Sequence, residues 1–299
     1  MRLDDFDDGI RVEDQRGGNF GGGFSGGGGI FSLLLGFLPM LLGRKMGCTT
    51  ILIIAAVGYF ALNSGMLQLG EVSAPSSSRE RAEAGTDTQS ICSIDAGSKE
   101  ACDTLSSLDQ TWAQLLEGYQ RPKLAFYSQQ GQSGCGAAQS AMGPFYCPAD
   151  NGVYLDTDFF AQMDKQMGAG GDFARRYVLA HEVGHHIQNL TGTADKVRQM
   201  QGKVSRADGN QLQVRMELQA DCYAGVWAAR NADRIEAGDI EEGMTAANAI
   251  GDDTLMQQAG QRPVESMFTH GTSEQRMAAL KKGLQTGNPS SCNYFQGIL

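Results

Sequence analysis

The five residues from His181 to His185 read H-E-V-G-H and restrict the local fold of this 299-residue chain more than any other feature. Two histidines four positions apart lie about 40° apart around an α-helix, so both imidazoles can converge on one ion. H-E-x-x-H on a helix is typical of zinc sites. Helical spacing of apolar residues, an N-cap at Asp172 and a stop at Gly192 predict the required helix.

A catalytic zinc needs a third protein ligand and one open position for water. The third histidine of one common H-E-x-x-H subclass would fall at position 191, which is a threonine. Glu217, on a second predicted helix, offers a carboxylate instead, and apolar neighbours make that helix a buried one. The sequence predicts His181, His185 and Glu217 as Zn²⁺ ligands. Asp221, one turn beyond Glu217, is predicted to accept the free N–H of a bound histidine.

Glu182 is the predicted catalytic base, because it lies beside the open position and can take a proton from metal-bound water as that water attacks a carbonyl. His186 is displaced by about 100° from the second ligand, so it is predicted to support the site without binding the ion. His270 is predicted as a catalytic donor to the oxyanion. Tyr223 and Tyr154 are alternatives for that role, and a purely structural His270 also stays open.

Two other interpretations of the motif remain open. The chain can be a non-catalytic binding or scaffold module that uses the metal for stability, or a structural envelope protein in which the motif is coincidental. Structural zinc sites usually close the fourth position with Cys or His. Cys222 points about 140° away from Glu217 on a regular helix, so it does not fill that position. The pattern therefore favours an enzyme, with a protein or peptide substrate.

Two apolar runs, Ile30 to Leu42 and Cys48 to Leu67, precede the main domain. Since about 20 helical residues span a bilayer, only the second run is long enough to cross. Arg44 and Lys45 before it predict a single-pass protein whose domain lies outside the cytoplasm, periplasmic or extracellular. The predicted organisation is a disordered acidic and Gly-rich tail at 1–29, a membrane region at 30–67 with the span at about 48–67, a linker at 71–90 and the catalytic domain at 91–299.

Six of the seven cysteines follow the predicted span, and they are Cys92, Cys102, Cys135, Cys147, Cys222 and Cys292. An even number on one side of a membrane indicates disulfides in an oxidising compartment. Nearest-neighbour closure gives Cys92–Cys102, Cys135–Cys147 and Cys222–Cys292, but fifteen pairings are possible and six free thiols are the alternative. The net charge of −10, with no cluster of Lys and Arg, excludes a nucleic-acid partner.

Coarse patterns in the domain predict a helix-rich α+β fold. They indicate a helix at 104–119, a strand at 152–159, a helix at 211–229, and further helices from Asp239 and from the Thr272 or Ser273 cap.

Several stretches resemble one known family, the bacterial neutral zinc metallopeptidases, which are single-span proteins with a zincin-like domain. They are FYCPADNGVYLD from Phe145, GAGGDFARRYVLAHEVGHHIQN from Gly168, RMELQADCYAGVWA from Arg215, AIGDD from Ala249 and FTHGTSEQR from Phe268. The resemblance implies a gluzincin-like endopeptidase with a small sheet, with His181, His185 and Glu217 as ligands and Glu182 as the catalytic residue. By analogy with zincins, Val153 to Leu155 is expected to be an edge strand that binds substrate.

Overall fold

The computed structural model describes residues 1–4, 6–18, 87–159 and 170–299. The predicted membrane region, including the span at 48–67, and the tail beyond residue 18 lie outside these ranges. No helix in the described ranges is long and apolar enough to cross a membrane. The fold class is thereby corrected to a helix-rich α+β domain with small sheets, without the predicted transmembrane helix.

The described elements alternate early between strands and helices and are helical after residue 170. The strands are β1 Arg11–Asp14, β2 Lys123–Tyr127, β3 Gln130–Ser133, β4 Gly136–Gln139, β5 Phe145–Cys147 and β6 Gly152–Asp156. The helices are α1 Thr88–Cys92, α2 Ala96–Leu115, α3 Asp172–Leu190, α4 Thr193–Gln201, α5 Arg206–Arg230, α6 Asp239–Ala249, α7 Asp252–Gln258 and α8 Ser273–Thr286.

Residues 1–18 belong to the same compact unit as the region after residue 87, so the prediction of a disordered tail is wrong for them. Strand β1 pairs in parallel with β2. Met1, Leu3 and Ile10 are buried in the main core. The prediction of disorder rested on the low apolar content of this segment, but these three apolar side chains are all buried.

The charged groups of this segment are also paired. The Met1 ammonium lies 2.7 Å from an Asp239 carboxylate oxygen, and Arg121 lies 2.7 Å from Asp7. The segment therefore contributes both core and ion pairs to the domain.

The pairing of β1 with β2 also bears on topology. One membrane crossing between residues 18 and 87 would put these two strands in different compartments, where they could not hydrogen-bond. The predicted single-span arrangement, with the N-terminal residues inside and the domain outside, is therefore wrong.

The main sheet has the strand order β1-β2-β6-β5, and β3 and β4 form a separate hairpin. Strands β1, β2 and β6 are parallel, and β5 is antiparallel to β6. All five residues of β6 are buried. The expectation that Val153 to Leu155 form an edge strand is therefore wrong, because β2 pairs with β6 on one side and β5 pairs with Val153 and Tyr154 on the other. The described edge on this side is β5.

The predicted N-cap of α3 is wrong by one residue: Asp172 is the first helical residue, Gly171 is the N-cap, and no side chain of the cap residue satisfies the first turn. Glu242 of α6 does so instead, since its carboxylate accepts from the Phe173 N–H at 3.1 Å. Helix α8 has the predicted Thr272 cap, and Gln275 completes a capping box. The cap of α8 could be predicted because both capping residues belong to its own first turn. The cap of α3 could not, because Glu242 comes from another helix.

The three disulfides join Cys92 to Cys102, Cys135 to Cys147 and Cys222 to Cys292. This is the nearest-neighbour pairing. The last bond ties α5 to the C-terminal segment, one residue after Asp221 on α5.

Candidate metal centre

His181 and His185 on α3 meet Glu217 on α5. The Glu217 Oε2 atom lies 3.1 Å from His181 Nε2 and 3.5 Å from His185 Nε2. One donor atom from each residue lies within 4.8 Å of the other two. Two imidazole nitrogens and a carboxylate oxygen are a common donor set of catalytic zinc, so the residues fit this ion.

Small residues allow the two helices to approach this closely. A Cβ atom at Gly184 would lie 2.9 Å from the Cα atom of Ala220. Gly184 is the second variable position of the H-E-x-x-H motif and faces α5 directly. The close crossing brings the Glu217 carboxylate within reach of both histidines.

Asp221 lies beside the three donors, with its Oδ1 atom 2.7 Å from His181 Nδ1. Arg276 of α8 binds both oxygens of this carboxylate at 2.9 Å, and the Tyr177 hydroxyl donates to it at 2.6 Å. Burial alone would raise the pKa of Asp221, but Arg276 and His181 outweigh burial and hold that pKa well below its usual range.

The same cluster acts on His181. Burial lowers the pKa of His181, but Asp221 and Glu217 outweigh it and raise the pKa to about 10. The residue patterns did not predict Arg276 and Tyr177 as members of the cluster. Both residues lie in stretches that resemble the family, and this resemblance is the sequence feature that could have pointed to them.

Glutamines contact the other two donors. His185 Nδ1 lies 2.9 Å from Gln188 Oε1, and Gln213 donates to Glu217 Oε1 at 2.8 Å. Neither glutamine was predicted to take part.

Glu182 is buried and lines the same cavity as the donors. Burial raises the pKa of Glu182, an effect that His185 and His181 oppose and that the Tyr146 backbone N–H also opposes by donating to the carboxylate. Strand β5, which contains Tyr146, thus lies directly beside Glu182.

His186 is fully buried and points away from the donors. Its ring contacts the Tyr146 hydroxyl at 3.0 Å and the Gln120 carbonyl at 2.6 Å. Burial lowers the pKa of His186, which favours the neutral ring. This histidine connects α3 to β5.

His270 lines the cavity and its side chain is 51% exposed. Asp252 lies 3.2 Å from its ring, and the hydrogen bond to Asp252 raises the pKa of His270. Tyr154 and Tyr223 do not line the cavity. Tyr154 instead bonds to Asp150, and Tyr223 packs edge-on against Trp112.

The cavity has a volume of about 740 Å³ and is open to solvent. Its walls come from β5, the 3₁₀ turn before it, α3, α5 and the junction of α6 with α7. Apolar side chains form much of the lining, namely Met142, Pro144, Phe145, Phe159, Val178, Ile250 and Leu255.

His181, His185 and Glu217 thus converge at an open cavity that Glu182 also lines. The profile of the family described as "Putative neutral zinc metallopeptidase" matches residues 1–295. This chain belongs to that family. Zinc and a peptidase activity are therefore supported at the level of the family.

Two relatives show the extent of the similarity. "Uncharacterized protein YpfJ" of Escherichia coli strain K12 is 44% identical over 291 residues, which are 95% of each chain. "Uncharacterized protein Rv2575" of Mycobacterium tuberculosis strain H37Rv is 44% identical over 205 residues, 64% of this chain and 68% of the relative. No solved structure gives a significant match.

Proposed function

We propose that this chain is a zinc-dependent endopeptidase in which His181, His185 and Glu217 bind Zn²⁺ and Glu182 is the general base. The convergence of these three donors, with Glu182 next to them in the cavity, is the observation that carries the proposal. A site built only for stability would be closed to solvent.

His181, His185 and Glu217 would hold the Zn²⁺ ion, which would supply Lewis-acid polarisation of the attacking water and of the scissile carbonyl. Glu182 takes the proton of that water and passes it to the leaving amine. Asp221 holds His181 in the tautomer that presents Nε2 to the ion, since it accepts from Nδ1. Arg276 neutralises Asp221, so the buried carboxylate is paired.

Strand β5 is the proposed template for an extended substrate. In the described part of the chain it pairs on one side only, with β6. Phe145 and Tyr146 line the cavity beside Glu182. A peptide that adds to this edge passes the donor triad, which supports cleavage within a chain.

His270 is the proposed donor to the oxyanion. It lines the cavity, whereas the two tyrosine alternatives do not. We expect His270→Ala to lower kcat about 10- to 1,000-fold while zinc content is unchanged. Steady-state kinetics with a quenched fluorescent peptide measure this effect, and an unchanged kcat assigns His270 a structural role.

The three disulfides support an oxidising compartment, outside the cytoplasm, as the place of action. Cytosolic thiols are normally kept reduced.

The central test combines zinc analysis with proteolysis on the full chain. We expect about one zinc per chain in the wild type and its loss in His181→Ala. Glu182→Gln should keep zinc but lose casein cleavage, because the carboxylate that accepts the proton is gone. Glu274→Gln, on the exposed first turn of α8, is the matched control and should retain both.

The outcomes separate the remaining interpretations. Zinc with cleavage that survives in Glu182→Gln contradicts the proposed base. Zinc in a wild type that cleaves none of a broad set of unfolded proteins favours a binding or scaffold module. A folded wild type that binds no zinc overturns the proposal.

A further inference from the structure

Two buried glutamines connect a predicted zinc ligand to the disulfide-bonded C-terminal segment. Gln188 follows His185 by three positions on α3, and Gln219 lies on α5. Gln188 is 0% exposed and Gln219 is 6% exposed. Fully buried amides need defined hydrogen bonds, so their orientation is fixed by their partners.

The chain of contacts begins at a backbone carbonyl. The Cys292 carbonyl can only accept, so Gln219 presents its Nε2 amide to it, at 2.9 Å. The Oε1 atom of Gln219 must then face the other way, where Gln188 Nε2 donates to it at 3.1 Å. Cys292 itself is held by its disulfide to Cys222.

A second backbone carbonyl fixes the orientation of the Gln188 side-chain amide. Gln188 Nε2 also donates to the Met216 carbonyl at 2.7 Å. Both donations leave Gln188 Oε1 as an acceptor, and it lies 2.9 Å from His185 Nδ1. A ring nitrogen that faces an acceptor must carry the proton.

We propose that Gln188 and Gln219 are positioning residues that set the tautomer of His185, so that its Nε2 lone pair points at the metal site. This inference rests on the proposed zinc site. Gln188 accepts a hydrogen bond from His185 Nδ1, as Asp221 does from His181 Nδ1. The two ligands on α3 are thus oriented by different chemistry, a carboxylate for one and a neutral amide for the other.

A purely structural role is the competing explanation, in which Gln188 only ties α3 to α5. Two substitutions separate the roles. Gln188→Met removes the acceptor for His185 Nδ1 and also the hydrogen bonds to Met216 and Gln219. Gln188→Glu keeps an acceptor for His185 Nδ1 but cannot donate to Met216 or Gln219.

The test is zinc affinity, measured by chelator competition on the full chain with folding checked by circular dichroism. We expect Gln188→Met to raise the zinc Kd about 10- to 100-fold, the usual effect of losing the partner of a ligating histidine. Gln188→Glu should keep the Kd within about threefold of the wild type, since the carboxylate still accepts from Nδ1.

Gln219 acts only through Gln188, which the Met216 carbonyl also orients. Gln219→Met should therefore weaken zinc binding less than Gln188→Met, and it should add nothing in the Gln188→Met background. Gln15→Met is the matched control, because Gln15 is 6% exposed and bonds to Gln132 on another part of the domain.

The inference is overturned if folded Gln188→Met binds zinc with the wild-type Kd. It is also overturned if Gln188→Glu binds zinc as weakly as Gln188→Met. If Gln188→Met does not fold, the zinc Kd of Gln188→Glu is the test. A zinc Kd ten times that of the wild type in Gln188→Glu would then also overturn the inference. Failure of the wild type to bind zinc refutes the proposed site itself and this inference with it. Loss of cleavage without loss of zinc affects only the proposed activity.

Discussion

Asp109 on α2 is a carboxyl group whose ionisation opposes folding. It is 1% exposed. Burial raises its pKa to about 6, although the Tyr119 hydroxyl donates to it and Arg121 lies 3.8 Å away. Because this pKa is above the ordinary value, the protonated form stabilises the fold. That contribution is complete below about pH 4 and is lost as the pH rises through about 6.

We expect Asp109→Asn to increase the free energy of unfolding at pH 7 by about 1–3 kcal/mol and to match the wild type at pH 4. Urea unfolding from pH 4 to pH 8 measures the difference. Asp233→Asn, at an exposed position, is the control and should follow the wild-type curve. A variant no more stable than the wild type at pH 7 contradicts the assignment.

Helices α5 and α8 cross at two glycines, and these helices carry Glu217 and Arg276 of the candidate metal centre. A Cβ atom at Gly283 would lie 2.0 Å from the Cys222 carbonyl oxygen, and one at Gly225 would lie 2.2 Å from the Leu280 carbonyl oxygen. Helix α5 carries the proposed zinc ligand Glu217 and Asp221, whereas α8 carries Arg276, which pairs with Asp221. Separating the two helices must therefore disturb the site.

We expect Gly283→Ala to lower the free energy of unfolding by about 1–3 kcal/mol and to weaken zinc binding. Gly202→Ala is the matched control, since its Cβ atom would lie 3.7 Å from the nearest atom. It should be neutral or slightly stabilising. Thermal unfolding and chelator competition on both variants make the comparison. Unchanged zinc affinity in a destabilised Gly283→Ala would show that the crossing does not align the site.

At the scale of the whole molecule, strand β1 of the N-terminal segment pairs with β2, although the two strands lie far apart in sequence. Met1, Leu3 and Ile10 are 2%, 8% and 3% exposed. Burial of each such side chain contributes about 1.5–3 kcal/mol. We expect deletion of residues 2–18 to lower the Tm by at least about 10 °C.

Differential scanning calorimetry of the full chain and the deletion variant measures this change. Asp4→Ala, at an exposed position of the same segment, is the control and should leave the Tm within about 2 °C. An unchanged Tm after the deletion would mean that β1 adds nothing to the domain.

Local patterns predicted the helices of the site well. Helix α3 begins within one residue of the predicted Asp172 cap and α8 follows the predicted Thr272 cap, because apolar spacing and capping are local signals. The same signals could not find Arg276 or Gln188. A buried polar side chain takes its role from the group that faces it across another helix, and the partners here lie 55 and 31 residues away.

The sequence alone establishes the H-E-V-G-H helix and the family resemblance, because each depends on residue types at short spacings. Folding decides that β1 joins the sheet, that β5 and not β6 is the edge beside Glu182 among the described strands, and that Asp221 is shared by Arg276 and His181. Those outcomes depend on contacts between segments far apart in the chain. Such contacts follow from the packing of the whole core, which no local pattern encodes.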